Sequence, residues 1–162
     1  MAAYRLTPRA NLDVMFDAEI ILYPDAYPLP ETIQRRLFAS TYGHCPTVGY
    51  EIDGVDAGGA ILHGDQFHIA VLPAFYGRWG RLWQPTLDWL FTHTDYVDGC
   101  ISKDNLRSWR FAERFSQRSG FPCIAEDDES ITYRMSRQIW HQSPARRGTK
   151  LPSDCDNTSS FT

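Results

Sequence analysis

Phe67-His68-Ile69-Ala70-Val71-Leu72-Pro73-Ala74-Phe75-Tyr76-Gly77-Arg78-Trp79-Gly80-Arg81-Leu82 is the stretch on which the fold turns. Its beginning, Gln66 to Leu72, is a short apolar run of strand type, and Pro73 closes it because proline brings no N–H to a ladder. From Gly77 to His93 the period becomes helical: Trp79, Leu82, Trp83, Leu87, Leu90 and Phe91 form one broad apolar face, read as core. Strand, glycine turn and helix in that order bring unpaired N–H groups and partial positive charge to one place. Glycine there lets an anionic group approach the backbone. Pro85 lies inside the helical period and predicts a kink or a delayed helix start.

Reading toward the N-terminus, His63-Gly64-Asp65 is a turn. Before it, Thr47–Ile52 and Val55–Leu62 flank Asp53-Gly54, a strong hairpin signal. Earlier still, Ala3–Leu6 is β-like, and Thr7-Pro8 predicts the start of a helix carrying Leu12, Met15, Phe16, Glu19 and Ile20. The segment from Tyr23 to Pro30 is a proline-broken loop, and Pro30-Glu31 opens a second helix with Ile33, Leu37 and Phe38 on one face. Reading toward the C-terminus, Tyr96–Ile101 is a strand and Asn105–Phe115 a helix, with one further turn, Ser116–Ser119, before Gly120. Phe121–Ala125 and Ser130–Met135 are strands about the acidic turn Glu126–Glu129. The order β-α-α-β-β-β-α-β-α-β-β predicts an α/β fold with a mixed, mostly antiparallel sheet and helices on both faces.

The chain's 162 residues suit one domain with a real core, expected over 1–140. Residues 141–162 are polar and aperiodic and read as a flexible tail. A formal charge of −4 with both signs spread along the chain argues against general affinity for nucleic acid or anionic membrane. No apolar run approaches the roughly 18 residues a membrane span needs. Met1–Arg5 lacks the pattern of a signal peptide, so a cytoplasmic location is expected. Cys45, Cys100, Cys123 and Cys155 are isolated and read as free thiols, and the spacing of Glu51, His63 and His68 fits no metal signature, so no metal is expected. There is no Gly-x-Ser-x-Gly elbow, which argues against a hydrolase of that type.

Over roughly residues 3–136 the element order resembles the GNAT acyltransferase superfamily. Phe67–Leu82 resembles that family's strand, Val-x-Pro corner, glycine-bearing phosphate loop and following helix. Asn105-Leu106-Arg107-Ser108-Trp109-Arg110-Phe111-Ala112-Glu113, closed by Gly120-Phe121, resembles its asparagine-led helix and the Gly-Phe that opens the next strand. The resemblance implies an acyl-CoA cofactor, acetyl-CoA in the first place. It would lie in the V where the strand at Ile69, Ala70, Val71 and Leu72 splays from the one at Val97–Ile101. Gly77, Arg78, Trp79, Gly80 and Arg81 would hold its phosphates, and Asn105 and Ser108 its pantetheine arm; Asn105 is equally an N-cap.

Against the family pattern, Tyr76 stands near the loop's first position, the loop is a residue short, and Trp79 or Arg81 falls where small residues are expected. Ala112 stands where many relatives carry a tyrosine that protonates the departing thiolate. Transfer to an amine also needs a base, and Asp65, His68 and Glu51 are the candidates, on or beside the same strands. The function implied is transfer of an acetyl or other acyl group from acyl-CoA to a primary amine of a small molecule or protein. The alternative is a non-catalytic GNAT-fold module with protein partners. Phe75-Tyr76-Gly77-Arg78-Trp79-Gly80 and the short N-terminal helices are similar in style to small GNAT-like proteins of tailed phages, for which a virion-associated place is the expectation.

Overall fold

The computed structural model describes residues 1–24 and 28–147. Asp25, Ala26 and Tyr27 of the proline-broken loop, Cys155, and the expected tail from residue 148 lie outside the described residues. In chain order the elements are β1 (Tyr4–Thr7), α1 (Leu12–Leu22), α2 (Glu31–Tyr42), β2 (Thr47–Ile52), β3 (Val55–His63), β4 (Gln66–Val71), α3 (Trp83–Leu90), β5 (Tyr96–Ser102), α4 (Leu106–Ser119), β6 (Cys123–Glu126), β7 (Ser130–Ser136) and α5 (Arg137–Gln142). Short 3₁₀ turns cover Pro73–Phe75, Trp79–Leu82 and Pro144–Arg147. The strands form one seven-stranded sheet in the order β1-β2-β3-β4-β5-β7-β6. The β1/β2, β2/β3, β5/β7 and β6/β7 pairs are antiparallel and β4/β5 is parallel. The fold class expected from the sequence is therefore the one found.

Two boundaries and one element differ from expectation, the element being α5, which the sequence reading lacks. The first helix does not start at Thr7-Pro8, because Thr7 still belongs to β1, where it pairs with Gly49. The cap is Asn11, whose Oδ1 accepts the N–H groups of Asp13 and Val14, at 3.2 and 3.4 Å. The helix expected from Gly77 to His93 is instead a 3₁₀ turn over Trp79–Leu82 followed by α3, which starts at Trp83. Pro85 thus sits in the first turn of α3, where its missing N–H costs nothing.

The chain divides into two compact units. The first comprises Met1–Ile61 and Ile69–Thr86. In it, Met15 and Ala18 of α1 pack with Ile61 and Ala70, with Leu12, Phe38, Tyr42 and Leu72 at the margin. Arg35 of α2 joins the two helices: it pairs with Asp13, Asp17 and Glu31, and its guanidinium lies 4.5 Å from the centre of the Phe16 ring. A bulge falls in β3, where Tyr50 opposes Gly58 and Glu51 opposes Asp56, so Ala57 is the extra residue. Gly58 at φ 144° is required there, since a Cβ would come within 2.1 Å of the Ala70 carbonyl oxygen.

The second unit comprises Leu62–His68 and Leu87–Thr149, of which 87–147 are described after the first segment. Tyr96 opposite Ser136 and Ser102 opposite Ser130 bound the β5/β7 ladder. Phe115, Phe121 and Trp140 pack in its core, and the Trp140 indole N–H donates to Asp88 at 2.9 Å. Asp88 also accepts from Arg146 at 3.0 Å, and Ser143 is buried, so the described structure continues past residue 140. No described helix is long and apolar enough to cross a membrane. Cys45 is half-buried, Cys100 and Cys123 are exposed, and all three are free.

Candidate functional site

β4 feeds the glycine turn through Pro73. Its Ala70 and Val71 are buried, and beyond it the Leu72 N–H donates to the carbonyl of the bulge residue Ala57 at 2.8 Å. The chain then turns through Pro73–Phe75, and Gly77 adopts φ 82°, a left-handed conformation that favours glycine. Apart from its chain neighbours, no atom lies within 4 Å of where a Gly80 Cβ would stand. Among the described residues, the N–H groups of Gly77 and Gly80 donate to no acceptor. Two unspent donors beside an open glycine make a surface that an anion can approach.

The bulky side chains of this turn point elsewhere. The Trp79 ring stacks on buried Tyr50, centroids 6.1 Å apart and planes 10° from parallel, and meets Trp83 edge-on. Arg78 donates to the Asp53 carboxylate at 2.5 Å and lies 5.7 Å from the Phe75 ring centre, while Arg81 lies 5.1 Å from that of Tyr4. The bulk expected to narrow the turn is thus directed toward β1 and β2. The charge of Arg78, expected to face phosphate, is engaged by Asp53. Sequence reading missed that pair because its members are 25 residues apart and no spacing pattern links them.

Asn105 caps α4 through its side-chain oxygen, which accepts the Ser108 N–H at 3.2 Å. Its amide nitrogen makes no hydrogen bond among the described residues, so capping leaves two donors available. Ser108 and Ala112 are half-buried. Asn105, Ser108, Asp65 and His68 belong to the second unit; Ile69 to Leu72, Gly77 to Arg81 and Glu51 belong to the first.

The three base candidates have different surroundings. Both carboxylate oxygens of Glu51 are taken by Arg5, at 3.1 and 2.6 Å. Asp65 is exposed in the turn, its carbonyl accepts the Asp98 N–H at 2.8 Å, and its carboxylate accepts from Gln66 at 3.3 Å. The single register pair of β4 with β5, Gln66 opposite Asp98, follows directly. His68 is half-buried, and burial, with the nearby His63, holds its imidazole below the ordinary histidine range. Both effects favour the neutral imidazole, the form that can accept a proton.

One titratable group was not singled out from sequence. Glu19 of α1 is half-buried, no side-chain partner reaches it among the described residues, and burial alone raises its carboxyl above the usual range. The signal for it was its place four residues after Met15 on the buried face.

No family model matches the chain, and no curated protein sequence matches it. Solved structures do. A GNAT-family acetyltransferase from Bacillus anthracis superposes with a TM-score of 0.61 at 12% identity, covering 83% of this chain and 95% of its own. The Salmonella typhimurium protein yncA, assigned as an acetyltransferase and solved with its cofactor acetyl-CoA, gives a TM-score of 0.56 at 15% identity, covering 84% and 94%. At such identities the likeness is one of architecture, and the chain has the GNAT fold.

Proposed function

We propose that the chain is an acyl-CoA-dependent N-acyltransferase that moves an acyl group, acetyl in the first place, to a primary amine. The observation that carries this is the open glycine turn after β4, with unspent N–H groups at Gly77 and Gly80. That turn suits the pyrophosphate of a CoA, the thioester supplying an activated acyl group. The amide of Asn105 is available to the pantetheine arm.

His68 is the base in this reading. It takes a proton from the substrate ammonium, and the freed amine nitrogen attacks the thioester carbonyl carbon. A C–N bond forms, the C–S bond breaks, the thiolate leaves with its electron pair, and the new amide nitrogen gives up its second proton to solvent. Ala112 offers no proton, so solvent protonates the thiolate. Because burial lowers the His68 pKa, the base form persists below the ordinary value near 6.5. Turnover should fall only as pH drops through that lower value. The test is thiol release against a panel of amines. His68→Gln is expected to lose about 10²–10⁴-fold in turnover and the acid limb with it. Full turnover in that variant removes His68 from the role and leaves Asp65 as the next candidate to replace.

A non-catalytic module is favoured by one specific feature, Ala112 in place of a hydroxyl on α4. The likeness in style to phage proteins rests on Phe75–Gly80 and the short N-terminal helices, and no comparison supports it. Binding of acetyl-CoA without turnover on any amine would support the non-catalytic reading.

A further inference from the structure

Asp53 sits at the tip of the β2/β3 hairpin and is fixed on both sides. Its N–H donates to the Ala3 carbonyl at 2.8 Å, and its Oδ1 accepts the Ala3 N–H at 2.8 Å. The second oxygen, Oδ2, accepts from Arg78 Nη2 at 2.5 Å. Arg81 lies over the ring of Tyr4 in β1. Trp79, between Arg78 and Arg81, stacks on Tyr50 of β2. Three side chains of the turn are thus anchored to β1 and β2, and the residues left unanchored are the two glycines.

We propose that Asp53 is a positioning residue for the cofactor: by holding Arg78 it fixes the Gly77–Gly80 turn so that the glycine N–H groups face a pyrophosphate. The role rests on the acyl-CoA reading above. Asp53 does not itself touch the cofactor, and neither does Arg78 while paired. A turn that must be ordered at the moment of binding loses affinity to that ordering, whereas one fixed beforehand does not.

Asp53→Asn is the discriminating variant. Asp53 has φ 55°, a conformation asparagine also tolerates, and the amide oxygen can still accept the Ala3 N–H. The hairpin therefore survives, and only the charged partner of Arg78 is lost. Affinities for acetyl-CoA and for acetyl-pantetheine, which lacks the phosphates, are measured by calorimetry on wild type, Asp53→Asn, Arg78→Gln and the double variant. Urea midpoints confirm folding. Acetyl-CoA should bind about tenfold more weakly to each single variant, the scale of one charge-assisted hydrogen bond. The double variant should be no weaker than the singles, and acetyl-pantetheine should be unaffected. Acetyl-CoA affinity within twofold of wild type, tighter binding, a larger loss for Arg78→Gln than for Asp53→Asn, or an equal loss for both ligands overturns the role. Wild type that binds no acetyl-CoA overturns the acyl-CoA reading itself.

Discussion

Tyr50 is completely buried, so its hydroxyl must find its partner inside the protein. The partner is Thr86, also fully buried, at 3.0 Å. Thr86 has one hydroxyl hydrogen and gives it to the Leu82 carbonyl at 2.6 Å, so it accepts from Tyr50. This short relay lies directly under the Trp79 stack and ties β2 to the start of α3. Thr86→Val keeps the shape and strands the phenol, which should cost about 1–3 kcal/mol in urea unfolding. Adding Tyr50→Phe should recover most of that loss, since neither group then needs a partner. A double variant as unstable as Thr86→Val would show that shape, not hydrogen bonding, sets the cost. None of this was legible in the sequence. Thr86 lies in the helical period as an ordinary polar residue, and only the fold reveals that it faces Tyr50.

Among the elements, periodicity was most of what the sequence had to offer, and it carried the order of strands and helices through β7 but not α5, which follows β7 directly. The hairpin at Asp53-Gly54, the Gly120 stop and the late start of α3, with Pro85 in its first turn, were each written in local chemistry. The start of α1 was misread, because the pairing of Thr7 with Gly49 is a contact between distant strands that overrides a local helix signal. The 3₁₀ turn over Trp79–Leu82 was merged with α3, since both place apolar residues on one face.

Two predictions belong to these elements. Gly80 is open above its Cβ position, so Gly80→Glu should fold normally while its carboxylate repels a phosphate. A calorimetric loss of at least about tenfold in acetyl-CoA affinity at an unchanged melting temperature is expected. It is a cleaner test than Gly77→Glu, which would strain a left-handed residue. Asn105→Asp separates capping from cofactor binding on α4. Aspartate caps as well as asparagine, so stability should hold within a few tenths of a kcal/mol. It has no amide to donate and adds negative charge, so acetyl-CoA should bind more weakly. Unchanged affinity would leave Asn105 as a cap alone.

For the whole molecule, the sheet order and the likeness to solved acetyltransferases establish the architecture, and chemistry must be argued from the site. The candidate site was half legible. The glycine turn after β4 and the Asn105 cap of α4 could each be placed from sequence because they are local motifs. The engagement of Arg78 by Asp53 and of Glu51 by Arg5 could not, since each joins residues far apart in the chain. On the function proposed above, this GNAT fold holds an acyl-CoA despite its shortened turn. Titration of acetyl-CoA into the wild-type protein, followed by calorimetry, tests it most directly. Saturable binding of one acetyl-CoA per chain, with a Kd on the order of micromolar, is expected. No heat of binding and no shift in melting temperature at millimolar acetyl-CoA would contradict it.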